Sequence, residues 1–337
     1  MTRKNNTETK RRKLDPLEDL GLPADTNIAL LQALHILTVD GRINQDSRRK
    51  LKQVQHLVQL IAPKIKAIAA RQNSVSVVDH GAGKSYLGFM LWEWVLKNLQ
   101  GKNGSNPMQT AMIGIEARAE LVEKSQVLAH DMAAHGMSFI HTNAADAATH
   151  PALPEMVEVV TALHACNTAT DDAIAFALAK NASLIVLVPC CQAEVAALLR
   201  QNQKSRADTV RTEALTTVRT EPVEVPDEQA AYRALWQHAL HAREFGSHLT
   251  NVLRTLWLES AGYTVTVTEL VGWEHSMKNE LILAEKTAEK IAEKTTENAA
   301  QNASKNYTEK QEKARENLQQ LLFNTGLSSL AVRYSLA

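Results

Sequence analysis

Residues 75–86 read VSVVDHGAGKSY: five mostly apolar residues closing on Asp79, then Gly81 and Gly83, then the start of a helical pattern. A short β-rich run followed by a glycine turn and a helix is the opening βα unit of a doubly wound sheet. The embedded GAGKS invites a phosphate-loop reading, but GxxxxGK[ST] needs a glycine five positions before Gly83. Val78 stands there. An ATPase reading is therefore set aside, and Lys84 becomes a basic residue at a helix start. The alternative is a turn in which Gly81 and Gly83 let the backbone pass close to a ligand beside the carboxylate of Asp79.

Outward from this unit the same alternation continues. Apolar runs recur at 111–116 (AMIGIE), 138–142 (SFIHT), 157–164 (VEVVTALH) and 183–189 (SLIVLVP), with helical stretches between them. A closing pair follows at 263–270 (YTVTVTEL) and 279–285 (NELILAE). The expectation is an α/β fold: a mostly parallel seven-stranded sheet with helices on both faces. Glu116, at the carboxyl end of the second run, is placed to accept both hydroxyls of a ribose, the alternative being that it caps the next helix.

The flanks differ in character. The 337 residues are 45% apolar, 22% charged and 4% aromatic, with 37 basic and 37 acidic side chains. That composition excludes collagen-like, disulfide-framework and wholly disordered chains. No apolar run approaches the roughly 18 residues of a membrane span, and no secretory signal is evident at the start. With three cysteines, two of them adjacent, a reducing cytoplasm is expected. Charge is uneven: residues 1–72 hold 14 Lys/Arg against 7 Asp/Glu, and residues 73–279 hold 15 against 22.

Residues 1–22 read as a basic disordered tail and 23–72 as a helical region, with Asp25 or Thr26 as a first N-cap and Pro63 as a kink or break. The main domain spans 73–285. Within it, 204–229, where TVRTE occurs twice, reads as a surface insertion. The segment 286–337 opens on AEK repeats and reads as a helical, low-complexity extension, a solvated appendage with a thin apolar stripe.

The acidic-x-Gly-x-Gly turn and the acidic end of the second strand resemble the class I S-adenosylmethionine (SAM)-dependent methyltransferases. LHACNTATDD (163–172) and VPCC (188–191) are similar to a methyltransferase-domain family carrying LHAC-x-TATD and PCC segments. The resemblance implies a Rossmann-like fold and S-adenosylmethionine as cofactor. It implies that Asp79, Gly81 and Gly83 line the methionine part, that Glu116 holds the ribose, and that Asn143 or Asp146 lies near adenine, with His164 beside the cofactor. His80 shapes the loop.

Methyl transfer is an in-line displacement that needs an aligned, deprotonated nucleophile. Candidates for the chemistry are His164, Cys166, Asp171, Cys190, Cys191 and His275, none singled out. His164 is a possible base or a backbone-bonded histidine. Cys166 and the Cys190/Cys191 pair follow the fourth and fifth strands, as the nucleophilic thiols of RNA cytosine-5 methyltransferases do; simple burial is the rival role. No metal site is expected, for lack of CxxC spacing. Glu274, His275, Lys278 and Asn279 are expected beside the substrate mouth. Arg48, Arg49, Lys50 and Lys52 offer phosphate contacts, so RNA is the expected acceptor, although that basic segment lacks aromatic residues for stacking. Two rivals are a methyltransferase of protein or small molecules and a non-catalytic scaffold on the same fold.

Overall fold

The computed structural model describes residues 16–100, 108–163, 165–190, 192–204, 230–270, 280–287 and 297–336. His164, Cys191, residues 271–279 and almost all of the 204–229 insertion lie outside the described residues.

Seven strands form one sheet in the order β3-β2-β1-β4-β5-β7-β6. They are β1 (Ser74–His80), β2 (Gln109–Glu116), β3 (Met137–His141), β4 (Val159–Leu163), β5 (Leu184–Val188), β6 (Tyr263–Glu269) and β7 (Glu280–Lys286). The first five are mutually parallel, while β7 runs antiparallel to both β5 and β6. Each apolar run in the sequence is thus a strand, shifted by no more than two residues at either end. The reason is burial on both faces: Val77, Val78, Val159, Val160, Ile185, Leu187 and Val188 are all wholly inaccessible, as a helix-covered parallel sheet requires.

Order reverses between β1 and β4, which opens a crevice at the carboxyl ends of the central strands. Helices α4 (Tyr86–Leu91), α5 (Ala119–Asp131), α6 (Ala169–Ala179), α7 (194–204) and α8 (Ala239–Ser260) supply the crossovers. Helix α4 continues through a π-helical turn, Trp92–Leu96, into Lys97–Gln100.

The N-terminal region is helical: α1 (Pro16–Asp19), α2 (Ile28–Ala33) and the 28-residue α3 (Gln45–Gln72). Three details differ from the sequence reading. Residues 16–22, placed in the expected tail, belong to the fold, because Leu17 and Leu22 are buried in the core. The first N-cap is Asn27, not Asp25 or Thr26: its side chain accepts from the N–H groups of Ala29 and Leu30, and Thr26 is instead buried under the Trp94 indole, which donates to its hydroxyl at 3.0 Å. Helix α3 runs unbroken through Pro63. Proline forfeits one helical hydrogen bond there, but Ile61 and Ile65 on either side are fully buried and pin both halves.

The C-terminal segment is no appendage where it is described. Helix α9 (Glu297–Asn324) buries Leu318 and Leu322 in the same core as α8, and the tail after it adds Leu327, Leu330 and Tyr334. The thin apolar stripe is a core contact. Among the described residues no helix is long and apolar enough to cross a membrane.

Candidate active site

Asp79 and Glu116 stand at the carboxyl ends of neighbouring strands, on either side of the glycine turn. Gly81 and Gly83 have φ of +72° and +58°, a left-handed backbone that favours glycine. A methyl group added at Gly81 would meet only Ala165 Cβ at 3.8 Å, and at Gly83 only Arg118 Nη2 at 3.8 Å. The turn therefore leaves open space on its outer face, as a loop that cradles a ligand must.

Asp79 is buried, and its carboxylate accepts a hydrogen bond of 2.7 Å from Thr161 Oγ1, the residue beside it on β4. Burial, reinforced by the charge of Glu116 and opposed by the Thr161 hydroxyl, pushes its pKa up to about 7. A carboxyl in this state readily becomes an anion when a cation arrives. Thr161 escapes attention in sequence, although a single hydroxyl in the apolar run VVTAL was its signal.

Glu116 is held differently. Its carboxylate accepts from Gly83 N–H at 2.7 Å, from Arg118 N–H at 3.1 Å, and from the Arg118 guanidinium at 2.8 and 3.3 Å. Burial alone would raise its pKa, but these donors together hold it below the usual carboxylate range. Glu116 is thus an anion facing the glycine turn rather than a cap for α5. Arg118, with its side chain 61% exposed, is the solvent-facing partner of that pair.

The loop after β3 closes the same crevice. Thr142 N–H donates to the Glu116 carbonyl at 3.3 Å, and Asn143 Nδ2 donates to Asp146 Oδ2 at 3.1 Å, both side chains being exposed. His80 is wholly buried and tilted against Phe176, with ring centroids 5.5 Å apart. Burial lowers its pKa to about 4, with the Ala144 backbone opposing, so the ring is neutral near pH 7.

Cys166 and Cys190, from the ends of β4 and β5, bring their sulfurs within 3.5 Å of each other. Cys166 follows Ala165, which packs on the Gly81 turn, so the thiols flank the crevice. His164, Cys191 and His275 lie outside the described residues, and with them Glu274, Lys278 and Asn279. Among the described residues no group of three or more His, Cys, Asp or Glu could hold a metal ion.

Asp171 belongs elsewhere. One oxygen accepts from Arg254 Nε at 2.7 Å, and the other lies 3.6 Å from Arg333 Nη1. Arg254, wholly buried, also donates to the Asn251 side chain and the Asn167 carbonyl. Asn167, left-handed at φ +54°, accepts from Ala193 and Glu194 N–H at the start of α7. Arg333 in turn forms a two-pronged pair with Glu194 at 2.6 and 2.8 Å. The polar density of CNTATDD, which packing alone does not explain in sequence, is largely a network, buried at Asp171 and Arg254, tying β4, α6, α7, α8 and the C-terminal tail together. Asp171 is itself buried, one oxygen bonded to the wholly buried Arg254 and the other near the partly exposed Arg333, which suits a structural ion pair.

Residues 49–198 match the family described as a methyltransferase domain, a little under half of the chain. No curated protein matches. Among solved structures the chain is similar to a putative O-methyltransferase from Klebsiella pneumoniae, at 12% identity over 80% of this chain and 93% of that one, TM-score 0.39. A magnesium protoporphyrin IX methyltransferase from Synechocystis PCC 6803 with bound S-adenosylhomocysteine shares 12% identity over 77% and 95%, TM-score 0.39. An rRNA methylase from Streptococcus thermophilus shares 9% over 64% and 87%, TM-score 0.32.

Proposed function

We propose that RNA is the methyl acceptor of this S-adenosylmethionine-dependent methyltransferase. The residues at the crevice suit that cofactor: two carboxylates of unlike character for a cation and a diol, and a glycine turn with open space between them. In this reading Gly81 and Gly83 let the cofactor approach the backbone, Asp79 balances its positive charge, and Glu116 takes the ribose hydroxyls once Arg118 moves aside. Asn143 and Asp146 lie on the adenine side. When bound, the cofactor supplies an electrophilic methyl on a sulfonium. The protein must exclude water and align an acceptor at the end of β4, where Cys166 stands.

The observation that carries the RNA reading is where α3 delivers its charge. Lys64, about two-thirds of the way along α3, pairs with Glu285, which lies beside Leu184 at the amino end of β5. The helix therefore climbs the sheet towards its first turns. There Lys50 and Leu163, the last residue of β4, line one cavity. Of the run Arg48, Arg49, Lys50 and Lys52, Lys50 therefore borders the cavity at the end of β4, and the others surround the same turns of the helix. Arg48 is engaged with Asp19 at 3.1 Å and Lys50 loosely with Asp46 at 3.7 Å, while Arg49 and Lys52 have no ion pair among the described residues. Cations left unpaired on the helix that borders the crevice suit a polyphosphate.

The test is transfer of labelled methyl from S-adenosylmethionine to total RNA and to protein extract, with the wild type and with Arg49→Glu/Lys52→Glu. The reading requires label in RNA, weakened by salt and by the charge reversal. Label only in protein or small molecules supports the first rival, and cofactor binding without any transfer supports the scaffold.

A further inference from the structure

Between the basic helix and the crevice lies a cavity of about 140 Å³ walled by Leu51 and Val54 of α3, Tyr86 and Met90 of α4, and Leu163 of β4, with Lys50 beside them. Three separate parts of the fold meet there. Tyr86 is the third residue after Gly83, and Leu163 the third before Cys166, so the cavity is lined by residues close in sequence to the glycine turn and to the first thiol. Lys50 has an exposed side chain, which sets that edge of the cavity at the surface.

Size and lining narrow the occupant. An apolar cavity of roughly 150 Å³ admits one benzene-sized ring, so this one takes a single six-membered ring, while a fused two-ring purine exceeds it. The walls are almost wholly apolar, with the aromatic ring of Tyr86 among them and the Lys50 side chain exposed at one edge. That pattern suits a flat ring with apolar faces and an attached anion. The basic run of α3 has no aromatic residue for stacking, but the fold supplies one from another element: Tyr86, half-buried beside Lys50.

We propose that this cavity is a base subsite, taking one pyrimidine ring of single-stranded RNA against Tyr86 with the adjoining phosphate at Lys50. The proposal rests on the RNA reading above and deepens it. Stacking on Tyr86 supplies affinity, cavity size selects pyrimidine over purine, and Lys50 contributes equally for any base. The ring so held lies next to the end of β4, so the methylated atom belongs to that pyrimidine nucleotide or to its immediate neighbour.

The experiment measures fluorescence anisotropy of labelled hexauridylate and hexaadenylate with the full chain and S-adenosylhomocysteine, and cofactor binding to every variant by calorimetry. Hexauridylate is expected to bind about tenfold more tightly than hexaadenylate. Tyr86→Leu should bring the two within threefold of each other, and Tyr86→Phe should restore the preference. Lys50→Ala should weaken both alike. Equal binding of the two hexamers by a wild type that binds cofactor overturns the base subsite while leaving the RNA reading intact, and so does a loss confined to hexauridylate in Lys50→Ala. If neither hexamer binds in low salt while cofactor does, both fall. Should Tyr86→Leu lose cofactor binding through misfolding, the wild-type preference, Tyr86→Phe and Lys50→Ala still decide.

Discussion

Lowering the pH from 7 to 5.5 should weaken S-adenosylmethionine binding steeply, because Asp79, proposed above to face its positive charge, goes from about half to almost wholly protonated in the ligand-free protein. Asp79 has its pKa raised to about 7, first by burial and then by the charge of Glu116. Binding a cation favours the ionised form, so the apparent Kd grows with the protonated fraction: about twofold above its limit at pH 7 and about thirtyfold at pH 5.5. The expected loss is therefore about 15-fold, close to one decade per pH unit. In this window the cofactor's sulfonium and ammonium charges are constant, and Glu116, held low by its donors, stays ionised.

The same raised pKa fixes the sign for the fold. Without ligand, stability is fully present below the unfolded value of 3.8 and is lost as pH rises through about 7. Isothermal calorimetry in two buffers of different ionisation enthalpy checks the linkage directly: nearly one proton should be released per cofactor bound at pH 6, and none by Asp79→Asn. A flat Kd across the window in the wild type, or an unchanged slope in Asp79→Asn, would refute the reasoning.

Other substitutions probe the surroundings. Arg254→Met leaves Asp171 buried beside Arg333 alone and should cost about 3–5 kcal/mol, seen as a lowered urea midpoint, with Asp171→Leu in the same chain recovering part of it; an unchanged midpoint would mean the network bears no weight. Gly246→Ala places a methyl 2.7 Å from the Ala196 backbone, where α8 crosses α7, and should lower stability by about 1–3 kcal/mol in thermal unfolding. Arg118→Ala frees the carboxylate of Glu116. Since an exposed pair is worth about 0.2–1 kcal/mol, calorimetry should find S-adenosylhomocysteine bound up to about fivefold more tightly, and weaker binding would show that Arg118 touches the ligand instead.

What the sequence discloses and what it withholds divide along contact distance. The seven strands are legible because each is a compact apolar run, and the glycine turn because its residues are adjacent. Asp79 and Glu116 are legible for a related reason: both close strands whose carboxyl ends a doubly wound sheet must align. Asp171 reads as a candidate for chemistry because its partner Arg254 lies 83 residues away, although an arginine within the apolar stretch LTNVLRTLW hints at a buried ion. Pro63 suggests a break because the local rule does not see Ile61 and Ile65 packed into the core. The C-terminal stripe reads as a solvated face because its partner, α8, is separated from it by two strands. The cavity between Lys50 and Tyr86 is illegible altogether: it exists only where α3 folds back over the end of β4.

The central claim is that this crevice binds S-adenosylmethionine, and the direct test is calorimetric titration with S-adenosylmethionine, S-adenosylhomocysteine and Mg-ATP, on the wild type and on Glu116→Ala. The account predicts micromolar binding of both adenosyl compounds, a loss of at least tenfold in Glu116→Ala, and no heat from Mg-ATP. Binding of Mg-ATP without S-adenosylmethionine would contradict it and return the GAGKS segment to a phosphate loop.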